Sequence, residues 1–148
     1  MEPEFFIDCQ NGRFSVGGAN TIGAGDTKVE VEAKSASLSR EWKDGGNGYE
    51  WLNLQGLSFG GVPCGLAMCF HHGRLREASW SASLPGAELE GGWPTRKSID
   101  EEIDFVRKTL KQQVRRDFQT GIEGFPWGTM WSHFNAKGFL ASNGLRYS

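Results

Sequence analysis

The longest regular pattern of apolar residues along the chain lies between residues 98 and 120. Its apolar positions recur every three or four residues, as one face of an α-helix requires: Ile99, Ile103, Val106, Leu110, Val114 and Phe118. Ser98 and Glu101 have the spacing of a capping box, and Gly121 is the usual kind of residue just beyond a helix. We therefore predict one long helix over residues 98–120.

Most of the other apolar positions alternate with polar or small residues, which is the period of a half-buried β-strand. Glycine-rich turns separate these runs, and the predicted strands in the first half of the chain are residues 5–8, 13–16, 27–34, 38–43 and 49–59. Residues 27–34 alternate most cleanly, with Val29 and Val31 on one face and charged side chains on the other. Asn11-Gly12 is a strong hairpin signal, so the first two strands are predicted to pair.

The next two strands are predicted to form a hairpin around residues 71–73. A two-residue loop would place Leu66 opposite Ser79 and would separate the apolar faces of the two strands. A three-residue loop pairs Leu66 with Ala78 and keeps the apolar residues on one face. The pattern therefore favours the three-residue loop, with Gly73 in a left-handed conformation.

After the helix, residues 129–134 and 139–147 are predicted to form a final strand pair around a turn at 135–138. Its register stays open, because bulky residues lie on both faces of the first strand. The fold class is α+β: a mainly antiparallel, strongly curved sheet of about 8–10 strands packed on one long helix, with a C-terminal β-hairpin after it. With 148 residues and no composition break, the chain is predicted to be a single domain, 1–148.

Composition and charge narrow the possible partners. The formal net charge is −2, so the chain is no general polyanion binder, and nucleic acid is not the expected partner. No stretch approaches the roughly 18–20 apolar residues of a membrane span, and the acidic N-terminus is not a signal peptide. Three cysteines without a framework spacing indicate reduced thiols, so we expect a cytoplasmic location.

Candidate chemistry is sparse. Cys64, Cys69, His71 and His72 have the side chains of a soft-metal site, but alternation puts the two cysteines on opposite faces of one strand and the histidines at a loop tip. We therefore predict no metal site and no cofactor. The chain contains no nucleophile motif, and helix capping accounts for the carboxylates near residue 100. We expect no catalytic residues, and an enzyme is the less favoured class.

Aromatic residues are the remaining functional signal, because six Trp, ten Phe and two Tyr exceed what one helix face and one sheet face need. Exposed aromatic side chains favour a ligand groove or a protein interface. The candidates for binding a partner or a ligand are Trp51, Trp93, Trp127, Trp131 and His133. The alternative is that a strongly curved sheet wraps the helix and buries most of them.

Residues 125–147, which begin Phe-Pro-Trp-Gly-Thr-Met-Trp and continue through a Lys-Gly turn, resemble the closing hairpin of small cytosolic immunity proteins. Those proteins accompany bacterial polymorphic and contact-dependent toxins. The resemblance covers about the last quarter of the chain. It implies a single α+β domain that binds and blocks a cognate toxin, without catalytic residues of its own. It transfers no partner-contacting residue to this chain.

The favoured function is that of a non-catalytic binding protein of the bacterial cytoplasm, possessing an aromatic-rich surface for a partner protein. The competing hypothesis is a small-molecule carrier or an enzyme, with an apolar pocket between the helix and the curved sheet and His133 as its polar group. A solvent-exposed cluster of tryptophans would favour the first hypothesis, and a closed apolar cavity around His133 would favour the second.

Overall fold

The computed structural model describes residues 2–17, 20–116, 118 and 121–148. The described chain contains two helices, α1 (Lys28–Lys34) and α2 (Arg96–Val114). Its twelve strands are β1 (Phe5–Ile7), β2 (Phe14–Val16), β3 (Thr21–Ile22), β4 (Ser39–Gly46), β5 (Tyr49–Phe59), β6 (Val62–His71), β7 (Arg74–Ala82), β8 (Leu89–Glu90), β9 (Trp93–Pro94), β10 (Ile122–Phe125), β11 (Gly128–Asn135) and β12 (Leu140–Tyr147).

Seven strands form one open antiparallel sheet in the order β10-β11-β12-β7-β6-β5-β4. The strands that follow α2 therefore extend the sheet made by the strands before it. Strands β1-β2-β3 and β8-β9 form two separate small sheets. The α+β class and the antiparallel pairing are confirmed, but the prediction of about 8–10 strands in one sheet and a single helix is corrected.

The core lies on one face of the seven-stranded sheet, which we call the covered face. Helix α2 packs across β11 and β12, and the three-stranded sheet packs beside it. The ring of Phe5 lies 5.8 Å from that of Phe59 and 5.0 Å from that of Trp80, which joins the small sheet to the large one. Helix α1 adds buried Val31 to the same core. The two-layer arrangement leaves the opposite face of the large sheet without a covering element in the described chain.

Helix α2 begins earlier than predicted, because its N-cap is Thr95. The Thr95 side chain accepts a hydrogen bond from the Ser98 backbone nitrogen, and Ser98 Oγ donates to the Thr95 carbonyl. The predicted capping box at Ser98 and Glu101 is therefore wrong. The first helical residues, Arg96 and Lys97, are polar, so the apolar pattern begins only at Ile99 and the predicted helix start came too late. The predicted stripe is confirmed from Ile99 to Val114, since its members are buried.

Helix α2 also ends earlier than predicted. Arg115 adopts the left-handed conformation (φ 54°), and Cys9 Sγ donates to the Val114 carbonyl in the last turn. Contacts with distant parts of the chain thus end the helix, with no glycine at its C-cap. Phe118, which was predicted on the helix, is buried beyond its end, and the predicted end at Thr120 falls outside the described residues. In the described chain no helix is long and apolar enough to cross a membrane.

Residues 27–34 form helix α1, so the predicted strand there is wrong. Thr27 caps the helix: its side chain accepts from the Glu30 backbone nitrogen at 3.3 Å, and its hydroxyl donates to Glu30 Oε1 at 3.1 Å. Val31 is buried, whereas Val29 is 79% exposed, which matches a helical period and contradicts alternation. A run this short fits both periods, and the capping residues decide between them.

The β6–β7 hairpin has a two-residue loop at His72-Gly73, so the predicted three-residue loop is wrong. Both loop residues have positive φ, 50° and 79°, as expected for a type I′ turn. A bulge between Cys69 and Phe70 then shifts the register, so that Leu66 lies opposite Trp80. The bulge restores the apolar face that a regular two-residue hairpin would have lost.

The C-terminal strand pair is confirmed in position, and its register is now defined. Trp131 lies opposite Gly144, and Met130 lies opposite Leu145. Met130 and Leu145 are fully buried on the covered face, which directs Trp131 to the other face. Strand β10, which pairs with β11 through a turn at Pro126-Trp127, was not predicted.

Candidate functional site

The uncovered face of the seven-stranded sheet carries a distinct set of side chains, which we call the open face. Alternation along each strand puts them opposite the buried apolar residues of the covered face. The open face includes Lys43, Trp51, Asn53, Gln55, Gly65, Ala67, Cys69, Glu77, Ser79, Ser81, Trp131, His133, Ser142, Gly144 and Arg146. Small and polar residues occupy its centre, and a tryptophan lies towards each side.

Trp131 is held flat against the sheet. Its Nε1 donates to Ser142 Oγ at 3.0 Å. Its six-membered ring covers Gly144, because a Cβ added to that glycine would lie 2.4 Å from the Trp131 Cζ2 atom. The absence of a side chain at Gly144 therefore leaves room for the Trp131 indole. The other side of the ring is free to contact solvent or a partner. His133 lies on the same strand and pairs with Ser142.

Trp51 lies on β5, opposite Lys43 on β4 and Cys69 on β6. Strands β5 and β11 are separated by three strands, so the two tryptophans lie about 19 Å apart across the sheet. Cys69, which lies between Trp51 on β5 and Glu77 on β7, is buried although it belongs to the open face. Burial, followed by the charge of Glu77, raises the pKa of its thiol, which keeps the sulfur protonated and uncharged.

Beside Trp131 the open face forms a shallow depression of about 310 Å³, to whose lining neither Trp51 nor Trp131 contributes. Hydroxyl and amide groups line much of it, from Asn53, Gln55, Ser79, Ser81 and Ser142. The nearest charges on β7 and β12 neutralise each other, since Arg146 and Glu77 form an ion pair of 2.9 Å. An uncharged polar depression on the same face as two tryptophans is suited to hydrogen bonding with another protein surface.

The other predicted binding residues lie elsewhere. Trp127 is a packing residue: its Nε1 donates to the Cys9 carbonyl at 2.7 Å, and its ring stacks on Phe125. Trp93 is 74% exposed on β9, beside the start of α2. The structure thus places Trp51, Trp131 and His133 on one face and separates Trp93 and Trp127 from them. The expected solvent-exposed cluster of tryptophans is not formed, because Trp51, Trp127 and Trp131 are half-buried and Trp93 is exposed apart from them. His133 lies away from α2, whereas the competing hypothesis put it in a pocket beneath the helix.

Sequence reasoning missed a polar network at the edge of the core. Asn143 is buried; its Nδ2 donates to the Trp80 carbonyl at 3.1 Å and to Glu102 Oε2 at 3.0 Å. Ser132 Oγ donates to Asn143 Oδ1 at 2.7 Å. Burial raises the pKa of Glu102, against the lowering effect of its hydrogen bonds. Several carboxylates follow one another at the start of α2, so no sequence signal distinguishes this one.

Two buried side chains that could act as nucleophiles, Cys64 and Tyr147, are held in their uncharged forms. Burial raises the pKa of the Cys64 thiol to about 12, with a further contribution from the Glu102 charge, so the sulfur stays protonated at neutral pH. Burial likewise raises the pKa of Tyr147, whose hydroxyl donates to the Gly12 carbonyl. Among residues 2–17, 20–116, 118 and 121–148, no three His, Cys, Asp or Glu side chains are grouped to hold a metal ion.

No protein-family model matches the chain, and no curated protein matches it in sequence. A chain of the solved complex of Rhs1-CT with its cognate immunity protein RhsI1 is similar in fold, with a TM-score of 0.56. The match covers 97% of this chain and 86% of that chain, at 11% sequence identity. The resemblance drawn from residues 125–147 pointed to the same kind of complex, and the likeness in fold extends over nearly the whole chain.

Proposed function

We propose that this chain is a non-catalytic, immunity-like protein that acts in the bacterial cytoplasm by binding a partner toxin domain through the open face. The observation that supports the proposal is that Trp51 and Trp131 lie on the same uncovered face of the sheet as a shallow, uncharged polar depression. Aromatic anchors beside groups that can hydrogen-bond are the usual composition of a protein interface.

The fold supports the same function. Its likeness is to a chain of a complex between a toxin C-terminal domain and an immunity protein. The preformed sheet would bind with little ordering of its own, because its strands are already fixed by their neighbours. Trp131 is restrained by Ser142 and lies over Gly144, so its side chain would lose little entropy on binding.

The experiment is a neutralisation and binding assay with the toxin domain encoded beside this gene. Growth of cells that express the toxin should be rescued by this chain, and an inactivated toxin domain should bind it in calorimetry. Trp51→Ala and Trp131→Ala should each weaken the affinity about tenfold or more, because each removes an aromatic anchor.

Lys108→Ala, on the exposed surface of α2, is the matched control and should leave the affinity unchanged. Circular dichroism and thermal melting confirm that each variant is folded. Absence of binding by the wild-type chain would contradict the proposal. Growth arrest caused by this chain alone would also contradict it, since the chain would then be the toxic component.

A further inference from the structure

A second depression lies outside the open face, between the end of β7 and the start of α2. Its volume is about 450 Å³, and we call it the helix-start depression. Its lining contains one carboxylate and three serines besides apolar residues, and the residues that matter here are Ala82, Leu84, Leu89, Pro94, Ser98 and Glu102. Ser81 lines both this depression and the one on the open face, so the two adjoin each other at this residue.

The carboxylate of Glu102 is only half satisfied within the protein. The Ala82 backbone nitrogen and Asn143 Nδ2 donate to it at 3.3 and 3.0 Å, and both bonds end on Oε2. Within the described ranges, no Lys, Arg or His nitrogen lies within 4.0 Å of this carboxylate. A half-buried carboxylate without a cation is a costly arrangement, and a cation supplied from outside would offset the cost.

The surroundings of the depression also favour a cation. Residues 84–104 carry six Asp or Glu and only two basic residues, a net charge of −4, whereas the whole chain carries −2. One of the two basic residues is already engaged, since Arg96 Nε pairs with Asp100 at 3.0 Å and the guanidinium lies over the ring of Phe134. The segment that surrounds the depression therefore carries a net negative charge, which favours a cationic occupant over an anionic one.

The rim of the depression is exposed and apolar. Leu89, which lines the depression, is 62% exposed on β8, and its partner on β9 is Pro94, which also lines the depression. Such residues can exclude water from a charged contact at the centre of an interface, which strengthens that contact. An occupant with an apolar stem and a cationic end would fit both the walls and the carboxylate.

We infer that the helix-start depression receives a lysine or arginine side chain of the partner protein, with its cationic group on Glu102 and its alkyl stem against Leu84, Leu89 and Pro94. The inference rests on the proposed function and extends it by naming an anchor residue of the partner. A protein side chain is the favoured occupant because its alkyl stem matches the apolar lining and its charge matches Glu102 and the acidic segment around it. The depression adjoins the open face at Ser81.

The first test uses small probes for the two side chains. Butylammonium and butylguanidinium should shift the amide NMR signals of Ala82, Ser98 and Glu102 in a saturable way, with millimolar affinity. Glu102→Gln should weaken binding about tenfold or more, because it removes the charge but keeps an acceptor for Ala82 and Asn143. Glu101→Gln, at the exposed neighbouring position, is the matched control and should leave the affinity unchanged. Equal shifts with neutral butanol would overturn the inference.

The second test uses the partner domain. Glu102→Gln should weaken its affinity about tenfold, and substitution of one exposed Lys or Arg of the partner by Met should have no further effect in that variant. If the partner binds wild type and Glu102→Gln equally, the inference is wrong while the proposed function stands. If 1,4-diaminobutane binds the wild type with micromolar affinity, the depression is a site for a free amine and the inference is overturned. Failure of the wild type to bind any partner contradicts the proposed function itself.

Discussion

At the scale of single residues, the open face depends on Gly144, because its missing side chain is the space that Trp131 occupies. An added Cβ would also lie 2.9 Å from the Ala78 carbonyl, so backbone as well as the indole would have to move. We expect Gly144→Ala to lower the free energy of unfolding by roughly 1–3 kcal/mol, as overpacking does. The Trp131 ring should be displaced at the same time, and denaturant unfolding and tryptophan fluorescence measure the two effects.

Gly124→Ala is the matched control for this prediction. Gly124 lies on β10, next to the strand of Trp131, and a Cβ added there meets no heavy atom within 4 Å. Its substitution should change the free energy of unfolding by less than about 0.5 kcal/mol. If the two variants were equally stable, Gly144 would have no role in holding the indole.

At the scale of elements, the N-cap of α2 can be tested, because the sequence pattern favoured Ser98 and the structure has Thr95 in that position. Thr95→Ala should lower the free energy of unfolding by about 1 kcal/mol, because it removes the acceptor for the Ser98 backbone nitrogen. Glu101→Ala should have less than half that effect, since Glu101 is exposed and belongs to no capping box in the structure. A larger loss from Glu101→Ala would favour the N-cap at Ser98, and chemical denaturation measures both.

The elements that sequence reasoning missed share a physical cause. Long patterns were predicted well: the stripe of α2 and the strand positions of the large sheet follow from burial on one face. Short elements were predicted poorly, because only a few residues define their apolar pattern. The helix cap at Thr27 and the bulge after Cys69 each change the local structure without a clear change in that pattern. Trp51, Trp131 and His133 could be named from composition, but only the register of five strands places them on one face. Glu102 gave no signal, since its environment comes from β7 and β12.

At the scale of the whole molecule, the first hairpin is tied to the final strand. The Tyr147 hydroxyl donates to the Gly12 carbonyl, and Trp127 Nε1 donates to the Cys9 carbonyl, each at 2.7 Å. Tyr147→Phe leaves a buried acceptor without its donor, so the free energy of unfolding should fall by roughly 1–3 kcal/mol. Limited proteolysis should then cut the turn near Gly12 faster than in the wild type.

Tyr49→Phe provides the control for the Tyr147 variant. The Tyr49 hydroxyl accepts an exposed hydrogen bond of 3.3 Å from Arg76, where water can replace the lost group. Its removal should change stability by less than about 0.5 kcal/mol. A Tyr147→Phe variant as stable and as resistant to proteolysis as this control would show that the two ends of the fold are held together by packing alone.

The position of β12 has a consequence for synthesis of the protein. Strand β12 joins β11 to β7 and supplies Asn143 to the polar network, yet both of its neighbours leave the ribosome before it does. Until then β7 has an unpaired edge, which is a site for association with other nascent chains. Assembly must wait for a pairing between distant segments, which is slow. We therefore expect the open face to be complete only after β12 has emerged from the ribosome and has paired with β7 and β11.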